Sequence, residues 1–209
     1  ELVRKDSLHV DDSPLPDLEP MRRFTRADYV CAASSGITDL SPLAGLPRLR
    51  DLIARDNPLA GLEPLSAAKV LEELYIERCK LTSLAGLEGC AALRELYAED
   101  NAVADLSPLA PLGELRIIDL EGNPVASVAP LTSLANLREL KLGLARVTDL
   151  APLAGCRALR KLEIWANPGV HGVVALAELP DLVRIVSHGS LPAAEIAELR
   201  RLRPDVAID

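Results

Sequence analysis

Residues 103–124, VADLSPLAPLGELRIIDLEGNP, recur in altered form through most of the chain. Segments 37–58, 59–80, 81–102, 125–146 and 147–168 fall in register with them at a period of 22 residues. A unit this short cannot bury an apolar face alone and must stack on copies of itself, so the period outranks every local signal. Position 4 of the unit is Leu40, Leu62, Leu84, Leu106, Val128 and Leu150, and position 13 is Leu49, Leu71, Leu93, Leu115, Leu137 and Leu159. Leucine holds position 7 in all six units, and Leu or Ile holds position 16. Position 21 is Asn57, Cys79, Asn101, Asn123, Ala145 and Asn167.

These residues resemble the 22-residue class of leucine-rich repeats, with its pattern IxDLxPLAxLxxLxxLxLxxNx. Bacterial internalins and the repeat-built regulatory subunit of protein phosphatase 1 share that pattern. The resemblance runs from Leu15 to the C-terminus. It implies an α/β solenoid, a right-handed superhelix with a concave parallel β-sheet, short 3₁₀ or turn segments on the convex side and a C-terminal capping helix. For function, it implies the binding of other proteins.

Local chemistry points the same way. The LxxLxL core alternates with period 2 and predicts a short strand. Proline at position 6 (SPLA, APLA) pre-sets φ and favours a tight turn over a long helix. Asparagine at position 21 is placed to satisfy backbone groups where the chain leaves the strand. Ala145 lacks those atoms, so an adjustment is expected at Ala145 and Arg146.

The whole chain, 1–209, reads as one repeat domain with degenerate ends. In residues 1–36 the phase continues backwards: Leu15, Leu18, Pro20, Met21, Phe24, Val30 and Ala32 take positions 1, 4, 6, 7, 10, 16 and 18. One period earlier Leu8 and Val10 take positions 16 and 18, with Ser13 and Pro14 where Asn-Pro would stand. The sequence thus opens inside a repeat, as a reduced cap or an excised piece would. Residues 169–189 form an irregular repeat whose register slips by one residue within 169–173. Residues 190–209 predict a cap: a helix over 190–204 and a last strand holding Val206 and Ile208. Ser190 is placed to cap that helix, Ile196, Leu199 and Leu202 form its apolar stripe, and Arg200, Arg201 and Arg203 favour its C-terminal dipole.

Several function classes drop out. A net charge of −8 gives no basic stripe for nucleic acid. No apolar run approaches the ~18 residues of a membrane span, and no signal peptide opens the chain. Cys90 and Cys156 lie three repeats apart, roughly 14 Å by strand spacing, beyond the ~7 Å that a disulfide bridges. Free thiols suit a reducing compartment, and a cytoplasmic location is expected. His9, His171 and His188 are scattered and give no metal cluster, and 169–172 lacks the lysine of a phosphate loop. Cys31 sits at an outward strand position as an ordinary surface thiol. An open, solvated sheet should leave carboxylate pKa values near normal. No cofactor, metal or catalytic site is expected, and the chain does not read as an enzyme.

The information lies in positions 15, 17 and 19, which alternation points away from the core. Position 15 is Asp51, Glu73, Glu95, Ile117, Glu139 and Lys161; position 17 is Ile53, Tyr75, Tyr97, Asp119, Lys141 and Glu163; position 19 is Arg55, Glu77, Glu99, Glu121, Gly143 and Trp165. These eighteen places carry nine acids and three bases, and from Glu73 to Glu121 they hold six acids and no base. Four of the five aromatics in the chain (Tyr29, Tyr75, Tyr97 and Trp165) fall on outward places instead of in the core. Position 14 (Arg50, Arg94, Arg116, Arg138, Arg160) offsets the acids along one edge. Cross-strand packing explains paired tyrosines, but tyrosine and tryptophan also dominate binding hot spots. The candidate partner-binding residues are Tyr75, Tyr97, Glu73, Glu77, Glu95, Glu99, Asp119 and Glu121, with Lys161 and Trp165 as a second, mixed patch. The expected partner is a basic protein or segment. The alternative is the sensing or autoinhibitory domain of a larger enzyme or nucleotide-driven switch.

Overall fold

The computed structural model describes residues 7–12 and 18–209. Among them, ten short strands form one parallel sheet in strict chain order. They are β1 Ser7–His9, β2 Tyr29–Cys31, β3 Asp51–Ile53, β4 Glu73–Tyr75, β5 Glu95–Tyr97, β6 Ile117–Asp119, β7 Glu139–Lys141, β8 Lys161–Glu163, β9 Arg184–Val186 and β10 Ala207–Ile208. Leu52, Leu74, Leu96 and Ile118 stand opposite one another in successive strands, and all are fully buried. The predicted turns are 3₁₀ segments such as Ser107–Leu109 and Ala151–Gly155, with proline in the first turn, where no amide is needed. Among the described residues no helix is long and apolar enough to cross a membrane.

Position 21 locks one repeat to the next. Asn57 Oδ1 accepts the amides of Ser35 and Ile37, and its Nδ2 donates to the carbonyls of Ala32, Ala54 and Arg55. Asn101 does the same for Cys79 and Leu81. Cys79, the substitute, donates its thiol to the carbonyls of Ala54 and Glu77 at 3.2 and 3.4 Å. Without the asparagine oxygen, the amides of Leu59 and Val125 turn to the backbone carbonyls of Asn57 and Asn123, at 2.9 and 2.8 Å. The adjustment expected at Ala145 and Arg146 therefore lies one repeat upstream, at Val125. The Arg146 amide keeps the regular bond, to Val125 O at 2.8 Å.

Both ends depart from the regular unit. At the first, Leu18 is buried and Ser35 stands in for asparagine, donating Oγ to the carbonyls of Val10 and Ala33. Phe24 is exposed; its ring turns out of a place that Leu, Ala and Cys fill in the regular repeats. The places assigned to Leu15, Ser13 and Pro14 lie outside the described residues, and the Met21 side chain is likewise not described. At the other end Lys161 pairs with Arg184, 23 residues on, and Gly169 and Gly172 adopt φ of 76° and 83° within the irregular segment. Ile208 pairs with Ile185, so the last strand also follows at 23 residues; it spans Ala207–Ile208, and Val206, expected within it, lies buried just before it.

The helix α1 spans Ala193–Leu202. Pro192 is its N-cap; Ser190, expected there, instead accepts the Asn167 amide at 3.4 Å. Leu199 is fully buried, whereas Leu202 is 43% exposed, so the apolar stripe is narrower than its spacing suggested. Arg203 does not serve the helix dipole. It reaches back to the carbonyls of Ala177, Leu179 and Leu182, supplying donors that a further repeat would otherwise bring. Leu199→Ala should cost about 2–5 kcal/mol by urea denaturation, and Leu202→Ala within about 0.5. Equal small losses would show that α1 does not seal the column.

Candidate functional site: the outer face of the sheet

Three-residue strands leave positions 15 and 17 on the outer face, with position 19 just beyond. Tyr75 and Tyr97 are register partners, and their rings stack with centroids 4.6 Å apart and planes within 9°. Each hydroxyl donates to the carboxylate two residues before it, Tyr75 to Glu73 at 3.2 Å and Tyr97 to Glu95 at 2.9 Å. Partial burial and those carboxylates raise both phenol pKa values far above normal, so the rings stay neutral. The stack is the cross-strand packing weighed above, and it fixes the rings as a half-exposed platform.

Beside the platform the acids are not an evenly solvated ladder. Glu77 is only 9% exposed and Asp119 2%. Side chains in rows about 4.8 Å apart keep water from between one another. Asp119 accepts a bond from Lys141 Nζ at 2.5 Å. The Oε2 atoms of Glu77 and Glu99 are buried without a hydrogen-bond partner among the described residues. Burial first, then the charge and hydrogen bonding of Asp119 and the charge of Glu77, push the Glu99 carboxyl up to about 8. Burial raises Glu77 against the pull of Arg55 and Arg78. Burial, Asp119 and Glu163 raise Glu121. The expectation that an open sheet leaves its carboxylates unperturbed is thus overturned: burial and Asp119 favour the protonated form of Glu99.

Lys161 and Trp165, expected as a second patch, each have their own surroundings. Lys161 opens β8, whereas Trp165 lies in the turn two residues past its end, and the two have different neighbours. Trp165 lies over Gly143, where a Cβ would meet its ring at 2.4 Å, and tilts toward His188. Lys161 bonds Glu163 at 2.7 Å and joins Arg116, Arg138, Arg160 and Arg184 along a shallow, mainly basic groove that Glu95 and Glu139 also line. That basic groove was missed in sequence. Arg50 and Arg94 both grip Glu72, but position 14 offers no second acid after Glu72, and the unbroken arginine run from Arg94 to Arg160 was the available signal.

The cysteines are free and buried. Cys31 is 7% exposed rather than a surface thiol. Burial, and then hydrogen bonding to Asp11, push its pKa up to about 11. His9, read as isolated, lies with Asp11 and Cys31, and their ligand atoms all fall within 4.8 Å of one another. The 22-residue offset between His9 and Cys31 already carried that adjacency.

No family model matches the sequence, and a search of curated proteins finds no match. Solved structures do match. An internalin, inlF, from Listeria monocytogenes superposes on 92% of the chain with a TM-score of 0.82 at 22% identity, and the chain spans 56% of that protein's length. Internalin C2 from the same organism gives 0.75 over 85% of this chain and 80% of its own, at 26% identity. A leucine-rich-repeat protein from Leptospira interrogans gives 0.68 over 88% of this chain and 53% of its own, at 17% identity. The fold is the leucine-rich-repeat solenoid of the internalin type, a general protein-interaction architecture.

Glu99 yields a pH test. Its folded pKa, about 8, lies above the ordinary 4.5, so the folded chain keeps a proton that the unfolded chain releases. Stability from this group is whole below about pH 4.5 and falls as pH rises toward 8. Glu99→Gln, which mimics the protonated acid, should melt higher than wild type at pH 8–9 and show no such gain at pH 4. A gain independent of pH would remove Glu99 as the titrating group.

Proposed function

We propose that the chain is a protein-binding module whose tyrosine platform and flanking acids take a basic segment of another protein. The stacked Tyr75–Tyr97 pair, beside the buried, unpartnered oxygens of Glu77 and Glu99, is the observation that carries this reading. Folding gains little from burying the Oε2 atoms of Glu77 and Glu99 without a partner for either. A lysine or arginine from a partner supplies the missing donors, and the tyrosine rings offer it an apolar and cation–π surface. The remaining acids, Glu73, Glu95 and Glu121, steer a positive segment toward the face, and Asp119 holds Lys141 beside it. Lys161 and the arginine groove limit the acid zone on one side, so the partner's charge should be polar along its length, basic over β4–β6 and neutral or acidic beyond. Trp165 marks the far edge as a separate contact. Buried, unpaired thiols fit action in a reducing compartment such as the cytoplasm.

Short synthetic peptides of basic, neutral and acidic composition, measured by surface plasmon resonance, test this. Basic peptides should bind, and more weakly as salt rises. The double change Tyr75→Ala with Tyr97→Ala should speed dissociation roughly thirtyfold, the equivalent of a ~2 kcal/mol hot spot. Peptide binding that is indifferent to charge and to both tyrosines would rule this face out.

A further inference from the structure

Away from the tyrosine platform, the edge of the sheet gathers three different metal-ligating side chains. His9 and Cys31 are register partners on β1 and β2. Alternation sets His9 and Cys31 on the outer face, and Asp11 follows His9 by two residues in the turn just past β1. One nitrogen, one sulfur and one carboxylate oxygen lie within 4.8 Å of one another. Donors around a tetrahedral ion with bonds of about 2.0–2.3 Å stand roughly 3.3–3.8 Å apart, so modest rotamer changes close the set. The burial pattern suits that closure: Cys31 is held in the sheet and Asp11 is already tied to it, while the exposed His9 ring is the ligand that turns in. Supporting contacts orient the ligands, as outer-shell partners do in metal sites. Asp11 Oδ1 accepts the Ala33 amide at 3.0 Å, and the Tyr29 ring lies 5.2 Å from that of His9.

We propose that His9, Asp11 and Cys31 form a three-ligand site for a borderline divalent cation, Zn²⁺ foremost, with a fourth position open to water or to a partner's side chain. The donor set decides the class of ion. A thiolate with an imidazole disfavours Mg²⁺ and Ca²⁺, which require oxygen ligands, and suits tetrahedral Zn²⁺ or Co²⁺. Three protein ligands are one short of a closed structural site, so the ion stays accessible. It also clips β1 to β2.

Cobalt titration of the full chain reads the site directly, because Co²⁺ bound to thiolate absorbs in the near ultraviolet and tetrahedral Co²⁺ absorbs strongly in the visible. Wild type should saturate at one Co²⁺ per chain, and added Zn²⁺ should bleach both signals. Cys31→Ser should lose the near-ultraviolet band, and His9→Ala and Asp11→Asn should each weaken Co²⁺ binding roughly tenfold or more. Zn²⁺ should raise the melting temperature of wild type but not of Cys31→Ser. No thiolate band in wild type overturns the proposal. So does an equal band in Cys31→Ser, which would assign the metal to Cys79, Cys90 or Cys156. Should Cys31→Ser fail to fold, exposed His9 carries the test, and unchanged Co²⁺ affinity in His9→Ala overturns it.

Discussion

The structure depends on the burial of one side chain per repeat, the Leu or Ile at position 16, between copies of itself in the strands on either side. A three-residue strand makes few ladder bonds and would not hold its register alone. A fully buried leucine is worth about 1.5–3 kcal/mol relative to exposure, and the column repeats that gain at every step. A slip of one residue would turn Tyr75, Tyr97 and their acid neighbours inward and Leu74 and Leu96 out. Register is therefore enforced by the core, and the outer row is carried along with it.

That division leaves the outer row free of folding duty and explains how it tolerates an unfavourable pattern. Parallel in-register pairing sets Glu73 beside Glu95 and stacks the position-19 acids in a line. Like charges at such spacing repel, more strongly where water is excluded. The molecule relieves this in two ways: Lys141 neutralises Asp119, and the raised pKa of Glu99 favours its uncharged form. A face that holds its acids in this state responds to a donor arriving from outside, which is the physical basis of the binding role proposed for it.

A column built by stacking has two ends at which the rule fails, and the chain treats them differently. At the start, β1 pairs on one side with β2, and Ser35 supplies the loop-locking contacts that asparagine supplies elsewhere. At the finish, α1 covers apolar surface through Leu199 while the Arg203 guanidinium satisfies carbonyls that would face the next repeat. Both supply apolar area or hydrogen-bond donors where these segments depart from the regular unit.

The sequence by itself determined the period, the strands, the buried column and the face on which Tyr75, Tyr97 and the acids lie, because a strict repeat assigns every residue to a side of the sheet. Even the pairing of His9 with Cys31 is implicit in a 22-residue offset. Only the tertiary structure decided what each place is worth. Leu202 follows the helical stripe yet remains exposed, because α1 meets the last repeat along a narrower line than its own pattern describes. Glu99 looks like every other outward glutamate, yet its proton affinity is set by how far side chains on adjacent strands shut out water. Periodicity fixes direction, whereas burial, charge state and ligand distance arise from neighbours a full repeat away in the chain, whose side-chain conformations no local pattern encodes.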